Sequence, residues 1–160
     1  MVRAGKIAAT AEGAVDRVSL PYAERWRRRG LLRTEGGEEI LLDLAEAAEL
    51  REGQALTLDD GRLVAVLAAA EPLAEVRGPN LARLAWHIGN RHTPCEIGLD
   101  RLLIQRDHVL EAMLVGLGAA VRHVTGAFCP EGGAYGHGRT HGHAHGTDPM
   151  ADPDAHLRGR

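Results

Sequence analysis

Between Ala14 and about Pro72 the apolar positions come in brief runs that are too short for helices. Val15, Leu20, Leu31-Leu32, Ile40-Leu41-Leu42, Leu56 and Leu58 are separated by Glu35-Gly36-Gly37, Arg51-Glu52-Gly53 and Asp59-Asp60-Gly61. Short apolar runs punctuated by Gly and Asp read as strands and turns. Asp59-Asp60-Gly61 lies between Leu56-Thr57-Leu58 and Leu63-Val64-Ala65-Val66-Leu67, which predicts a hairpin. Leu44 to Leu50, rich in Ala and Glu, reads instead as one or two helical turns.

The pattern changes near Pro72. Ala74 to Arg77 reads as a strand, and Gly78-Pro79-Asn80 opens a helix, Pro being tolerated in a first helical turn. Leu81, Leu84, Ala85 and Ile88 follow the spacing of an amphipathic helix, which αL-tolerant Gly89 and Asn90 would end. Two short apolar runs follow, Cys95–Leu99 and Arg101–Gln105. Asp107 then caps a second helix whose inner stripe is Val109, Leu110, Met113, Leu114 and Leu117. Ala119 to Thr125 completes a β-α-β-β-α-β order, the ferredoxin-like arrangement. The expected class is α+β: an amino-terminal β domain over residues 1–72, a ferredoxin-like domain over 73–135, and a flexible His-rich tail over 136–160. Beyond Tyr135 the chain has too few apolar residues to offset its ordering entropy, so the tail is expected to be mobile unless metal binds.

Composition narrows the function classes. The 160 residues are 44% apolar and 26% charged, as in a soluble globular protein. Aromatics are only 3%, so the cores must be aliphatic and each of the two small domains marginal, a situation that dimerisation would relieve. A formal net charge of -3 gives a nucleic-acid role no electrostatic support. Met1 to Ala14 lacks the apolar continuity of a signal peptide, and no apolar run approaches the roughly 20 residues that span a bilayer. The cytoplasm is therefore the expected compartment, with Cys95 and Cys129 reduced.

Histidine carries the candidate chemistry. His137, His141, His143 and His145 are spaced by small residues that let several imidazoles converge on one ion, and imidazole suits Ni, Cu or Zn better than Mg or Ca. A purification tag or a solvating tail is the plainer account; interspersed histidines with more chain after them argue against a tag. His92 leaves a helix end into a loop. Alone it is an ordinary loop histidine, but two copies across a two-fold axis would make a better site. His108 follows the Asp107 cap, where the helix dipole favours the neutral ring that ligates, although an exposed first-turn residue is the simpler reading. His87 and His123 fall in regular elements and read as packing or surface residues, and His156 is isolated. Arg25-Trp26-Arg27-Arg28-Arg29 would suit an acidic partner, but a solvated loop is the blander and preferred account. No CxxC pair, P-loop, nucleophile elbow or HExxH motif is present.

Three segments share one resemblance. Ala85-Trp86-His87-Ile88-Gly89-Asn90-Arg91-His92 resembles the (Y/W)H(I/L)GNRH signature of the urease accessory nickel metallochaperones, the UreE family. Asp107-His108-Val109-Leu110-Glu111-Ala112-Met113-Leu114 resembles that family's DHVLxxML helix, and Phe128 to Tyr135 its FxPExGAY segment, after which many members carry histidine-rich tails. The resemblance implies a peptide-binding-like amino-terminal module and a homodimer in which His92 meets its symmetry mate to bind nickel, with tail histidines as further ligands. It also implies delivery to apo-urease in concert with the urease accessory GTPase and its companion proteins. Some members carry a histidine where this chain has Arg106, and Cys129 falls at a variable position, so no ligand role passes to Cys129. On this reading the chain is not an enzyme and has no resident cofactor: Ni(II) is cargo, and Zn(II) or Cu(II) would fit the same ligands. The alternative from another class is a zinc or nickel store whose tail does all the binding; a metal-dependent enzyme is disfavoured because no carboxylate or thiol is suitably spaced from the histidines.

Overall fold

The computed structural model describes residues 1–132. Its first module is a six-stranded sheet built from β1 (Val2–Ala8), β2 (Asp16–Leu20), β3 (Trp26–Arg33), β4 (Glu39–Glu49), β5 (Ala55–Leu58) and β6 (Leu63–Ala68), in the order β2-β6-β5-β1-β4-β3. β1 runs parallel to β4 and β2 parallel to β6, while the other pairs are antiparallel. Alternate residues bury one face: Val18 and Leu20, Ile40, Leu42 and Leu44, Leu56 and Leu58, and Val64 and Val66 form a core without aromatics. The Asp59-Asp60-Gly61 turn joins β5 to β6 as expected. Gly61 takes φ +87°, and Leu58 N–H donates to the Arg62 carbonyl at 2.9 Å.

Two expectations for this module fail. Leu44 to Leu50 is not helical: β4 continues through Glu49, its end paired with Trp26 and Arg27 of β3. Ala and Glu favour a helix locally, but burial of Leu44 and the ladder to β3 decide the outcome. Nor is Arg25 to Arg29 a solvated loop. A 3₁₀ turn at Tyr22–Glu24 leads directly into β3, and Arg25 is buried. The Arg25 guanidinium lies 5.2 Å from the centroid of the Tyr22 ring and donates to the Phe128 carbonyl.

The second module is β7 (Glu71–Arg77), α1 (Leu81–Gly89), β8 (Glu96–Ile97), β9 (Leu102–Gln105), α2 (His108–Gly116) and β10 (Ala120–Gly126). Its antiparallel sheet has the order β10-β7-β9-β8, so the expected β-α-β-β-α-β arrangement holds. Both helices start on side-chain caps. Asn80 Oδ1 accepts from Arg83 N–H at 3.0 Å, and Asp107 Oδ1 accepts from Val109 and Leu110 N–H at 2.9 Å each. Leu84 and Ile88 of α1 and Leu110 and Leu114 of α2 pack on Ala74, Val76, Leu102 and Ile104. Val109, expected in the inner stripe, is exposed.

Only Ala69 and Ala70 separate β6 from β7, so the modules abut. A small cluster of Leu73, Leu103 and Phe128, with Tyr22 against it, lies on the sheet face opposite the helices. Beyond that cluster the same face carries buried Glu75, whose carboxylate accepts from Arg77 at 2.9 Å, Arg101 at 3.1 Å and Arg122 at 3.0 Å. The Arg77 hydrogen bond above all, helped by Arg101 and by the charge of Arg122, outweighs burial and holds the Glu75 carboxyl down at about 2. A folded-state value below the ordinary 4.5 stabilises the fold above that pH, and the contribution disappears as pH falls through about 2. Glu75→Gln should therefore lower stability at pH 7 by roughly 1–3 kcal/mol, as loss of charge-assisted hydrogen bonds does. In urea unfolding at a series of pH values, the gap to wild type should close between pH 4.5 and 2. A gap that stays constant across that window would refute the assignment.

Candidate metal centre

His92 is placed by the end of α1. The N–H groups of Asn90, Arg91 and His92 donate to the carbonyls of Trp86, Ile88 and Gly89 at 3.0, 3.0 and 2.9 Å, tightening the last turn. Asn90 stays right-handed at φ -63°, and the left-handed position expected at Gly89 or Asn90 falls instead on His92, at φ +55°. Among the described residues His92 is the one non-glycine with positive φ. Such a conformation costs on the order of 1 kcal/mol in a residue with a β-carbon, and it clusters where function needs it. Pro94 then prevents helical continuation, and His92 is left exposed in the loop. Arg91 anchors that loop to α2, its Nε 3.1 Å from Met113 Sδ.

The other described histidines are differently engaged. His108 is the exposed first residue of α2. His87 stacks edge-on with Trp86, ring centroids 5.0 Å apart. His123 Nε2 lies 2.7 Å from Glu111 Oε2, and Arg106 holds the other oxygen of that carboxylate at 2.9 Å. The thiols are poor donors near neutral pH, because the thiolate is the ligand. Burial, reinforced by Glu131 and Glu96, pushes Cys95 up to about 11, and burial also raises Cys129 despite its Arg25 neighbour.

Among the described residues no three His, Cys, Asp or Glu side chains gather as a metal site. His137, His141, His143 and His145 lie outside the described residues. One chain thus presents His92 as an isolated imidazole on a module with uncovered apolar side chains: Trp86, Ile97, Leu99, Val109 and Val115 are all more than half exposed. Exposed apolar side chains are ordinary when scattered singly and mark a surface that meets a partner when they form a contiguous patch. Sequence reasoning placed His92 in a loop but missed its left-handed backbone. Phe128 enters the sequence reading only as the start of the FxPExGAY-like segment; its packing against Leu73, Leu103 and Tyr22 at the contact between modules is not read there.

Residues 2–69 match the amino-terminal domain of the UreE urease accessory protein, and residues 71–156 match its carboxy-terminal domain. The chain belongs to the UreE family. UreE relatives named as urease accessory proteins include that of Ruegeria pomeroyi, 59% identical over 132 residues that span 82% of this chain and 89% of the relative. The UreE of Paracoccus denitrificans is 59% identical over 136 residues, 84% of this chain and 87% of the relative. That of Chelativorans is 49% identical over 154 residues, 91% of this chain and 98% of the relative. As a UreE protein the chain is an accessory factor and not an enzyme. No helix among the described residues is long and apolar enough to cross a membrane.

Proposed function

We propose that this urease accessory protein carries nickel(II) for urease maturation in the cytoplasm, as a homodimer in which His92 of each chain holds one shared ion. The observation that carries the proposal is the exposed His92, set on a left-handed turn of a module whose large apolar side chains are uncovered. One imidazole is an incomplete site; a two-fold axis supplies the second, and burial of Trp86, Ile97 and Leu99 in an isologous contact would supply the driving force.

Transfer is ligand exchange, with no bond made or broken in a substrate. Tail histidines 137, 141, 143 and 145 complete the shell and yield their positions to groups on the incoming partner, the accessory GTPase and apo-urease complex. Open coordination positions make such stepwise exchange easier than in a closed four-thiolate site. The same donors accept Zn(II) and Cu(II), copper at least as tightly as nickel. His108, exposed at the start of α2, serves as a weaker secondary ligand. The residue ranges 1–72, 73–135 and 136–160 correspond to a peptide-binding-like module, the metal module and the tail.

A chain ending at Tyr135 tests the assignment. By calorimetry it should keep one tight nickel ion per two chains and lose the weaker equivalents. Loss of all nickel binding would identify a tail-only store and overturn the carrier reading.

A further inference from the structure

The face of the carboxy-terminal sheet opposite the helices is only half covered. Leu73 and Leu103 lie beneath Phe128, but the region around Glu75 is open, with a cavity of about 410 Å³ lined by Glu75, Arg77, Ala120, Val121 and Arg122. Three guanidinium groups converge there on one buried carboxylate, yet the side chains of Arg77, Arg101 and Arg122 remain 45%, 40% and 71% exposed. Among the described residues, the one further carboxylate paired with them is that of Asp100, on Arg77. Three cations against two anions leave one net positive charge, with donor groups still facing solvent. That balance fits a singly charged carboxylate. A phosphate would add its second charge beside Glu75.

The register shows what lies within reach. Glu96 pairs with Leu103, Leu103 with Glu75, and Glu75 with Arg122, so the four side chains form one row on one face of the sheet. At about 4.8 Å per strand the row spans roughly 14 Å. Its far end holds the departing chain: the Glu96 carboxylate accepts from Cys129 N–H at 2.8 Å. The residues that lead into the tail therefore lie on the same face as the arginines. Beyond Gly132 the acidic residues are Asp148, Asp152 and Asp154, grouped in Asp148-Pro149-Met150-Ala151-Asp152-Pro153-Asp154. Sixteen residues from Gly132 to Asp148 span about 20–24 Å as a flexible chain, enough to return along the row.

We propose that this open arginine face is the docking site for the chain's own Asp148–Asp154 segment. One carboxylate of that segment at a time takes the exposed donors of Arg77, Arg101 and Arg122, matching their single net positive charge. Docking tethers the stretch that contains His137, His141, His143 and His145 at both ends, which raises the effective concentration of those imidazoles near the metal module. The proposal concerns carboxylates and guanidiniums alone and stands whether or not metal is bound.

The test is arginine side-chain NMR on the full metal-free chain in 50 mM NaCl, wild type against an Asp148→Asn, Asp152→Asn, Asp154→Asn variant, with Arg62 of the first module as internal control. Docking predicts that the Nε–Hε signals of Arg77, Arg101 and Arg122 shift in the variant while Arg62 does not. It also predicts that 0.5 M NaCl moves the wild-type signals onto the variant's, because these charges are exposed and screened. Arg122→Gln, a change at an exposed side chain, should weaken docking, so that the Asp variants then shift Arg77 and Arg101 less than half as far. Superimposable wild-type and variant spectra at low salt would overturn the proposal. Shifts that grow with protein concentration would also overturn it, by assigning the docked segment to a second copy.

Discussion

His92→Asn is expected to abolish the tight nickel site and leave the fold intact. Asparagine tolerates left-handed backbone better than most residues, so at φ +55° it keeps the turn that ends α1 and removes only the imidazole. His92→Ala removes the same ligand but keeps the left-handed strain that His92 itself bears, so equal losses in the two variants assign the effect to the imidazole and not to the backbone. Because a shared site loses one imidazole from each chain at once, the dissociation constant should rise by more than about 100-fold, the upper end of what changes outside the ligand shell cost. Calorimetry reads the affinity and circular dichroism the fold. Unchanged tight binding in the asparagine variant would move the metal elsewhere. Tight binding that survives in a strictly monomeric species would refute the shared site even if His92 mattered.

Much of the metal module is legible in the sequence because its signals are local. The spacing of Leu81, Leu84, Ala85 and Ile88 gives α1, and Asp107 marks the start of α2 through hydrogen bonds two and three residues away. The features that escape are set by distant partners. Leu44 to Leu50 is drawn into a strand by β3, and Arg25 is buried because its guanidinium meets a carbonyl more than a hundred residues later. The inner stripe of α2 is right at Leu110 and Leu114 but not at Val109, which is exposed. For the site, the loop position of His92 is readable from Gly89-Asn90 and Pro94. The shift of the left-handed residue from Asn90 to His92 is not, since it depends on how the last carbonyls of α1 are capped. The tail histidines, equally conspicuous in the sequence, lie outside the described residues.

Phe128→Ala should cause the largest loss of stability, about 3–5 kcal/mol, the usual cost of deleting a fully buried phenyl ring. The ring is wholly buried, meets Tyr22 edge-on with centroids 5.3 Å apart, and packs on Leu73 and Leu103. Collapse around the void is limited because the cluster is bounded by the sheet on one side and by the 3₁₀ turn on the other. For a domain of this size the loss corresponds to a melting temperature roughly 6–20 °C lower, out of a total stability of about 5–15 kcal/mol. The Phe128 carbonyl, which accepts from Arg25, belongs to the backbone and survives the substitution, so the loss isolates the ring. The aliphatic cores of the two modules do not include Phe128, and scanning calorimetry should therefore show reduced cooperativity as well as the lower midpoint. Nickel affinity measured well below the midpoint should stay near wild type, because His92 sits in the α1–β8 connection and outside this cluster. A stability loss under 1 kcal/mol would show that Tyr22 and its neighbours close the gap, and that the junction between the modules is held chiefly by Arg25 and Glu71, whose carboxylate bridges Tyr22 N–H and the Gln105 amide at 2.8 Å each.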